Sequence, residues 1–184
     1  MSSFQTSAAP NLVLVGPMGA GKSSIGRRLA GRLGLRFVDA DRAIEDATGA
    51  SVPVIFEIEG EAGFRARERA LIAELCAGRG QLIATGGGAV LDADNRQALR
   101  ARGFVVYLRL GIEQQLRRLA RDRARPLLAG PDRRERLQQL AEQRVPLYES
   151  IADLTFDCDR LPLAEAVDRL ASELAPRWRP EAAA

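Results

Sequence analysis

An eight-residue stretch, Gly16-Pro-Met-Gly-Ala-Gly-Lys-Ser23, constrains this chain more than any other part of its sequence. It fits the pattern G-x-x-x-x-G-K-[ST], and it lies between an apolar run that ends at Val15 and a helical pattern that begins at Ser23. Glycines let the backbone wrap around an anion, and the amides at the start of a helix point toward phosphate oxygens. The stretch therefore predicts a strand, a phosphate-binding loop and a helix in succession, with a nucleoside triphosphate as the ligand.

Lys22 is the only lysine of the chain, although the sequence contains 27 basic residues. In a loop of this pattern the lysine neutralises the β- and γ-phosphates, and the hydroxyl of Ser23 can coordinate Mg²⁺. We therefore expect Lys22 to be a catalytic residue as well as a ligand of the nucleotide. The residues expected to bind the nucleotide in this stretch are Gly19, Ala20, Gly21, Lys22, Ser23 and Ser24.

The composition is that of a globular domain, and it excludes several classes of chemistry. Hydrophobic residues make up 46% of the chain and charged residues 28%, and no apolar run approaches the roughly 20 residues that cross a bilayer. Without histidine, histidine-based catalysis is impossible, and Cys76 and Cys158 form neither a disulfide framework nor a zinc site. Because the N-terminus also lacks the pattern of a secretory signal, we expect one cytoplasmic domain over residues 1–184, with flexible tails at 1–10 and 176–184.

The charge balance favours small anionic ligands over nucleic acid. Lysine and arginine exceed aspartate and glutamate by 27 to 24, which gives a formal net charge of +3. Acidic residues are nevertheless interleaved with the arginines, even in the most basic stretch, residues 117–144. Most of these arginines are expected to lie on a solvated surface of mixed charge. We predict no nucleic-acid partner.

Short apolar runs alternate with helical patterns along the chain. The predicted strands are residues 12–15, 36–39, 81–84, 104–108 and 153–157. The predicted helices are residues 23–33, 41–48, 61–77, 92–101, 111–122, 132–143 and 162–174. This alternation predicts a mostly parallel sheet with helices on both faces. Ligands of such sheets bind beyond the carboxyl ends of the strands, where the segments 16–23, 39–41 and 86–88 should meet.

Three features of the sequence narrow the class of nucleotide-binding enzyme to which this chain can belong. A guanine-specific Asn-Lys-x-Asp motif cannot occur, because Lys22 is the only lysine. The strand at 104–108 runs into Arg109 rather than into the acidic Mg²⁺ ligand that is usual in motor and helicase ATPases. Asp39-Ala-Asp41 instead follows the second strand. At this position one carboxylate can help to coordinate a metal ion and the other can bind a substrate hydroxyl. A solvated pair at the end of a strand is the alternative interpretation of this segment.

Six segments in a familiar order resemble the shikimate kinases, phosphate-loop kinases of aromatic amino-acid biosynthesis. They are VGPMGAGKSSIGRRLA, DADRAIE, FRARE, ATGGGAV, RPLL and R-x-P-L-Y-E. The resemblance implies a three-layer fold with a five-stranded parallel sheet of order 2-3-1-4-5, flanked by helices and carrying a mobile lid at about residues 123–132. It also implies a reaction in which ATP and shikimate give 3-phosphoshikimate and ADP, with one Mg²⁺ per subunit and a monomeric enzyme.

The resemblance assigns an acceptor site to residues that lie far apart in the chain. Asp41 matches the residue that holds the shikimate hydroxyls and accepts the proton, and Asp39 matches one that reaches Mg²⁺ together with Ser23. Two arginines, Arg65 and Arg144, match those that bind the substrate carboxylate, with Glu68 orienting Arg65. The triple glycine lies against shikimate in this family, and its residues are Gly86, Gly87 and Gly88.

Two further arginines match positions at the nucleotide. Arg125, in Arg125-Pro-Leu-Leu, matches a catalytic lid arginine that contacts ATP, and Arg118 matches a position that stacks on adenine. The nearest alternative is a related sugar-acid kinase such as a gluconate kinase, which should lack this combination of triple glycine and arginines. A nucleoside-monophosphate kinase, resembling the chain mainly in fold, and a degenerate ATP-binding or nucleic-acid-binding module are the remaining alternatives. The degenerate module predicts the loss of Asp41, Arg65 or Arg144, all of which are present.

Overall fold

The computed structural model describes residues 7–120 and 132–180, in which strands and helices alternate as expected. The strands are β1 (Ser7–Ala9), β2 (Asn11–Val15), β3 (Arg36–Asp39), β4 (Gln81–Ala84), β5 (Gly103–Arg109), β6 (Leu154–Asp157) and β7 (Trp178–Pro180). The helices are α1 (Lys22–Leu33), α2 (Ala40–Thr48), α3 (Val52–Ala77), α4 (Ala93–Arg102), α5 (Ile112–Leu119), α6 (Arg133–Ile151) and α7 (Leu163–Leu174). A short 3₁₀ turn, Ala89–Leu91, follows the triple glycine.

The central sheet has five parallel strands in the order β3-β4-β2-β5-β6. Numbered among themselves along the chain, these strands stand in the order 2-3-1-4-5, so the predicted fold is confirmed. Strand β2 lies in the middle, with Val13 paired to Ile83 on one side and to Val105 on the other. The loop that follows β2 therefore leaves the sheet at its centre, where side chains from both halves can reach it.

Alternation along the strands divides the core between the two faces of the sheet. Leu12 and Leu14 pack into a cluster with α1 and α7 residues, whereas Val13 and Val15 pack into a second cluster with residues of α3, α4 and α6. Because successive side chains of a strand point to opposite faces, a central strand covered on both sides must be apolar throughout. This gives the three layers that the sequence pattern predicted.

Two helices are longer than the sequence pattern predicted. Helix α3 begins at Val52 rather than near residue 61, with a break at Gly60, where φ is 70°. Helix α6 continues through Pro146 to Ile151 rather than ending near residue 143. In α6 the buried positions follow a helical spacing beyond the proline, as the final residues Tyr148 and Ile151 show. Packing of this face outweighs the hydrogen bond that a proline removes.

The two ends of the described chain meet in a small sheet of their own, which the sequence analysis did not foresee. Strands β1 and β7 pair in parallel, with Ala9 opposite Pro180. Trp178 is buried, and its indole Nε1 donates a hydrogen bond to the carbonyl oxygen of Ala9 over 3.2 Å. Residues 7–9 and 178–180 are thus ordered strands rather than parts of flexible tails, because burial of a large aromatic side chain stabilises their pairing. Residues 1–6 and 181–184 lie outside the described chain.

The predicted lid lies almost entirely outside the described residues. Residues 123–131, Arg125 among them, fall in the undescribed segment between α5 and α6, and only Asp132 of the expected lid is described. None of the helices in the described ranges combines the length and the apolar character needed to cross a membrane.

Candidate active site

The loop between β2 and α1 has a backbone that its glycines make possible. Gly16, Gly19 and Gly21 have φ values of 142°, 80° and 88°, all in the region that favours glycine. A Cβ atom on Gly16 would also lie 2.5 Å from the carbonyl oxygen of Leu108. Helix α1 starts directly after the loop, at Lys22. The loop is therefore held against β5 while it directs the first amides of α1 toward the carboxyl edge of the sheet.

The Lys22 side chain folds back over the loop from the first turn of α1. Its Nζ donates hydrogen bonds to the carbonyl oxygens of Gly16, over 2.7 Å, and of Pro17, over 2.9 Å. The ammonium group thus lies inside the curve of the loop, close to the helix amides. A helix N-terminus and a fixed ammonium group together form a strongly anion-binding site.

Ser23 and Asp39 bring two oxygen donors together next to this loop. The Ser23 hydroxyl donates to Asp39 Oδ2 over 2.5 Å, and Asp39 Oδ1 caps α2 by accepting from the backbone N–H of Arg42 over 3.3 Å. Within residues 7–120 and 132–180, no group of three or more acidic, histidine or cysteine side chains is placed to hold a metal. The pair nevertheless fits Mg²⁺, which usually takes one or two protein oxygens and completes its shell with water and phosphate oxygens.

A cavity of about 570 Å³ opens over the phosphate loop. Arg118, on α5, lines it and bridges its two sides: Nη1 donates to the carbonyl oxygen of Gly19 over 3.1 Å, and Nη2 donates to that of Cys158 over 2.9 Å. Leu161 and Leu163 continue the wall beyond Cys158. The sequence analysis did not single out these leucines, although their position just after β6 places them at the same edge of the sheet as the loop.

Arg65 and Glu68 form a largely buried ion pair beside the triple glycine. Arg65 Nη1 lies 2.7 Å from Glu68 Oε2, and the Glu68 side chain is 0% exposed. Burial raises the pKa of Glu68, and the nearby Asp41 adds to this, while Arg65 and Arg144 oppose it. The carboxylate therefore depends on the two arginines to remain ionised, which links all four side chains electrostatically.

The triple glycine approaches each of these groups so closely that side chains there would collide with them. A Cβ atom on Gly86 would lie 2.8 Å from Asp41 Oδ1 and 2.8 Å from Glu68 Oε1. One on Gly88 would lie 2.3 Å from Arg65 Nη2. The loop after β4 thus allows Asp41, from α2, and Arg65, from α3, to share one small space.

Arg144 completes this cluster from α6. It is 6% exposed, and a Cβ atom on Gly87 would lie 3.6 Å from its Nη1. Burial lowers the pKa of Arg144, and the neighbouring Arg65 lowers it further. The Nε atoms of Arg65 and Arg144 are buried with no hydrogen-bond partner among the described residues. Two desolvated guanidinium groups with unused donors form a site that an anion, and a planar carboxylate in particular, would stabilise.

The structure therefore gathers most of the predicted residues into two adjoining groups. The phosphate loop, Ser23, Asp39 and Arg118 surround the first cavity, and the second group is formed by Asp41, Arg65, the triple glycine and Arg144. A second cavity, of about 400 Å³, is lined by Arg144 together with Met18, Leu140 and Tyr148 among others. Arg125 lies outside the described residues, so no contact is assigned to it.

Comparisons with known proteins agree in family and in fold. A sequence model described as shikimate kinase matches residues 18–175. A shikimate kinase of Stenotrophomonas maltophilia is 58% identical over 171 residues, which cover 93% of this chain and 95% of that protein. The structure of shikimate kinase from Acinetobacter baumannii in complex with shikimate has a TM-score of 0.83 and 46% identity, with 90% of each chain covered. Shikimate kinase from Bacteroides thetaiotaomicron has a TM-score of 0.82 and 33% identity, covering 91% of this chain and 99% of its own.

Proposed function

The chain belongs to the shikimate kinase family, and on that premise we propose how its residues divide the work of ATP-dependent shikimate phosphorylation. The enzyme transfers the γ-phosphoryl group of ATP to shikimate and releases ADP, and we assign the accepting oxygen to the 3-hydroxyl. One observation carries the residue assignments: Asp41, Arg65 and Arg144 converge on the triple glycine directly beside the phosphate loop.

The phosphate loop binds and polarises the donor. The amides of residues 19–24 surround the β- and γ-phosphates of ATP, and the Lys22 ammonium exchanges its carbonyl partners in the loop for phosphate oxygens. Ser23 and Asp39 are the residues that would hold Mg²⁺. When bound, the ion neutralises charge on the β- and γ-phosphates.

The acceptor is oriented by charge at both of its ends. Arg65 and Arg144 hold the shikimate carboxylate, which satisfies donors that are otherwise buried without a partner. Asp41 accepts a hydrogen bond from the attacking hydroxyl. As the new bond between this oxygen and the γ-phosphorus forms, the bond from phosphorus to the β,γ-bridging oxygen breaks, and the hydroxyl proton passes to Asp41. The triple glycine brings the acceptor close enough to the phosphate loop for direct transfer.

Arg118 and Arg125 complete the proposal on the nucleotide side. The hydrogen bonds of Arg118 to Gly19 and to Cys158 support a position between the phosphates and the base, where its guanidinium plane can cover adenine. The assignment of Arg125 to the lid, where it contacts ATP and helps exclude water, rests on its place in the Arg-Pro-Leu-Leu segment alone.

We also propose that the enzyme is a monomeric, single-domain cytoplasmic protein that acts on small molecules rather than on nucleic acid. Cys76 and Cys158 are both buried and free, which suits a reducing compartment. Light scattering after gel filtration tests the oligomeric state, and fractionation of the producing cell tests the location.

A coupled assay of ADP release with shikimate, gluconate and the nucleoside monophosphates, measured side by side, tests the acceptor. We expect turnover with shikimate alone, because gluconate has no ring hydroxyl and the nucleoside monophosphates carry no carboxylate for Arg65 and Arg144 to bind. Equal or faster turnover with gluconate would contradict the proposal, since an open-chain acid would then fit the same site.

A further inference from the structure

The hydroxyl of Tyr148 makes contacts that none of the roles above uses. Tyr148 lies on α6, in the segment Arg144-Val-Pro-Leu-Tyr-Glu149 that contributed to the family resemblance. Its Oη donates a hydrogen bond to the carbonyl oxygen of Gly87. The Arg144 guanidinium lies beside the same glycine, with its Nη1 3.6 Å from the position of a Cβ atom on Gly87, and its positive charge interacts with the Tyr148 hydroxyl. One side chain thus links the middle residue of the triple glycine to a buried arginine of the acceptor site.

The Tyr148 ring is held so that its hydroxyl has a fixed position. The residue is 1% exposed, and its ring stacks on that of Tyr107 with the centroids 5.0 Å apart and 24° between the planes. Tyr107 is itself 1% exposed and belongs to β5, in the central sheet. Because stacked, buried rings have few alternative rotamers, the sheet determines where the phenol oxygen lies.

The protonation state of Tyr148 suits its hydrogen bond to Gly87. Burial raises the pKa of its hydroxyl, while the positive charge of Arg144 only partly opposes this shift. The group therefore keeps its proton throughout the physiological pH range. A protonated phenol can donate to the Gly87 carbonyl and still present its oxygen lone pairs to a nearby cation, whereas a phenolate would repel the Gly87 oxygen.

Gly87 is the residue at which the donor and acceptor sites meet. A Cβ atom there would lie 3.5 Å from the carbonyl oxygen of Gly16 and 3.6 Å from both the Met18 nitrogen and Arg144 Nη1. The peptide that joins Gly87 to Gly88 is planar and trans, so its carbonyl and its N–H point in opposite directions. Holding the Gly87 carbonyl on Tyr148 therefore also orients the N–H of Gly88 toward the other side of the loop.

We propose that Tyr148 is a positioning residue for the acceptor. Its hydroxyl holds the triple glycine and the Arg144 guanidinium in one relative arrangement, so that the site is preorganised before the acceptor arrives. Without it, glycine backbone and a long arginine side chain would both be free to rearrange, and ordering them would oppose binding. This inference rests on the proposed function, because it takes shikimate to be the acceptor that these groups bind.

The test is steady-state kinetics of Tyr148→Phe, which keeps the ring and removes one oxygen atom. We expect the KM for shikimate to rise about 10-fold, as for the loss of a hydrogen bond that leaves buried partners unsatisfied, with a smaller change in kcat and no change in the KM for ATP. Tyr107→Phe is the matched control. It removes the same atom from the partner in the stack, and we expect it to leave both KM values within about twofold of wild type.

The outcomes separate this inference from the proposed function. Wild-type protein that does not phosphorylate shikimate would overturn the proposed function. Normal wild-type turnover with an unchanged shikimate KM in Tyr148→Phe would overturn only the positioning role. The positioning role would also be overturned if the shikimate KM rose equally in Tyr148→Phe and Tyr107→Phe, or if Tyr148→Phe lost ATP binding. Either result would mean that the substitution acts through packing. Melting temperatures and binding of a nonhydrolysable ATP analogue are measured on both variants.

A double-mutant cycle tests whether the hydroxyl acts through Arg144. In an Arg144→Ala background, Tyr148→Phe should raise the shikimate KM by clearly less than it does in wild type, because one of the two groups that it positions is already gone. The same rise in both backgrounds would overturn the link between Tyr148 and Arg144.

Discussion

The phosphate loop and the acceptor site lie side by side, but the chain builds them in opposite ways. The loop is one contiguous segment between β2 and α1, and Lys22 closes it with hydrogen bonds to Gly16 and Pro17, only a few residues away. The acceptor site takes Asp41 from α2, Arg65 from α3, the triple glycine from the end of β4 and Arg144 from α6. Binding of the ATP phosphates should therefore depend less on the packing of distant segments than binding of shikimate does.

Replacing Lys22 should have the largest effect on turnover, and it should leave the binding of shikimate unchanged. We expect Lys22→Ala to lower kcat by about 100- to 1,000-fold or more, because the ammonium stabilises charge that develops on the transferred phosphoryl group. Lys22→Arg should also fail, since a planar guanidinium is larger than the ammonium that the loop encloses. Arg28→Ala, at an exposed position on the same helix, is the control. Near-normal turnover in either Lys22 variant, measured with the ADP assay, would refute the role of the loop.

Asp41→Asn should separate the two sites functionally. The amide keeps the shape of the carboxylate but cannot accept the proton, so we expect kcat to fall by about 100-fold while ATP still binds. Asp46→Asn, on the same helix and ion-paired with Arg42 at the surface, should remain close to wild type. If Asp41→Asn weakened ATP binding as strongly as it lowered turnover, Asp41 would belong to the donor site instead.

Arg65→Ala and Arg144→Ala should weaken shikimate binding far more than ATP binding. Removing one partner of a buried charge pair costs about 2–5 kcal/mol, and calorimetric titration with each ligand measures it. A shikimate analogue without the carboxylate should bind wild-type enzyme poorly and lose little further in these variants. Arg67→Ala is a close control, because Arg67 lies on the same helix but pairs with Glu59 at the surface. Weaker ATP binding with unchanged shikimate binding would reverse the assignment.

The smallest effects should come from a pair of glycine substitutions. In Gly88→Ala the new methyl group would meet the Arg65 guanidinium, the mobile end of a long side chain. We therefore expect Arg65 to be displaced, with a rise of about 10-fold in the shikimate KM for a lost charged hydrogen bond. Gly31→Ala, on α1, meets nothing within 4 Å and should stabilise the fold by about 0.5–1 kcal/mol without changing either KM. Chemical denaturation measures the stability of both variants, and steady-state kinetics measures their KM values. An unchanged shikimate KM in Gly88→Ala would indicate that the triple glycine is only a flexible turn.

The alternation of apolar runs and helical patterns was sufficient to predict the central sheet. Its five strands appeared as expected, because a parallel sheet covered on both faces requires short, largely apolar strands with helices between them. Their order, 2-3-1-4-5, was implied by the resemblance to the shikimate kinases rather than by the alternation. Boundaries were less predictable where packing opposes local preference. Helix α6 passes through Pro146 because residues beyond it are buried, and β7 forms because Trp178 is buried against the opposite end of the chain.

What the amino-acid sequence alone determined is the part of the site that depends on neighbouring residues: a strand, a glycine-rich loop and the single lysine at the start of a helix. Individual acceptor residues could be matched to a family, but their shared environment was decided by the tertiary structure. The complete burial of Glu68, the unpartnered Nε atoms of the two arginines and the contact between Tyr148 and Gly87 all join segments that are distant in the chain. The physical reason is that burial, and with it the strength of each charge interaction, arises only when separate elements pack together.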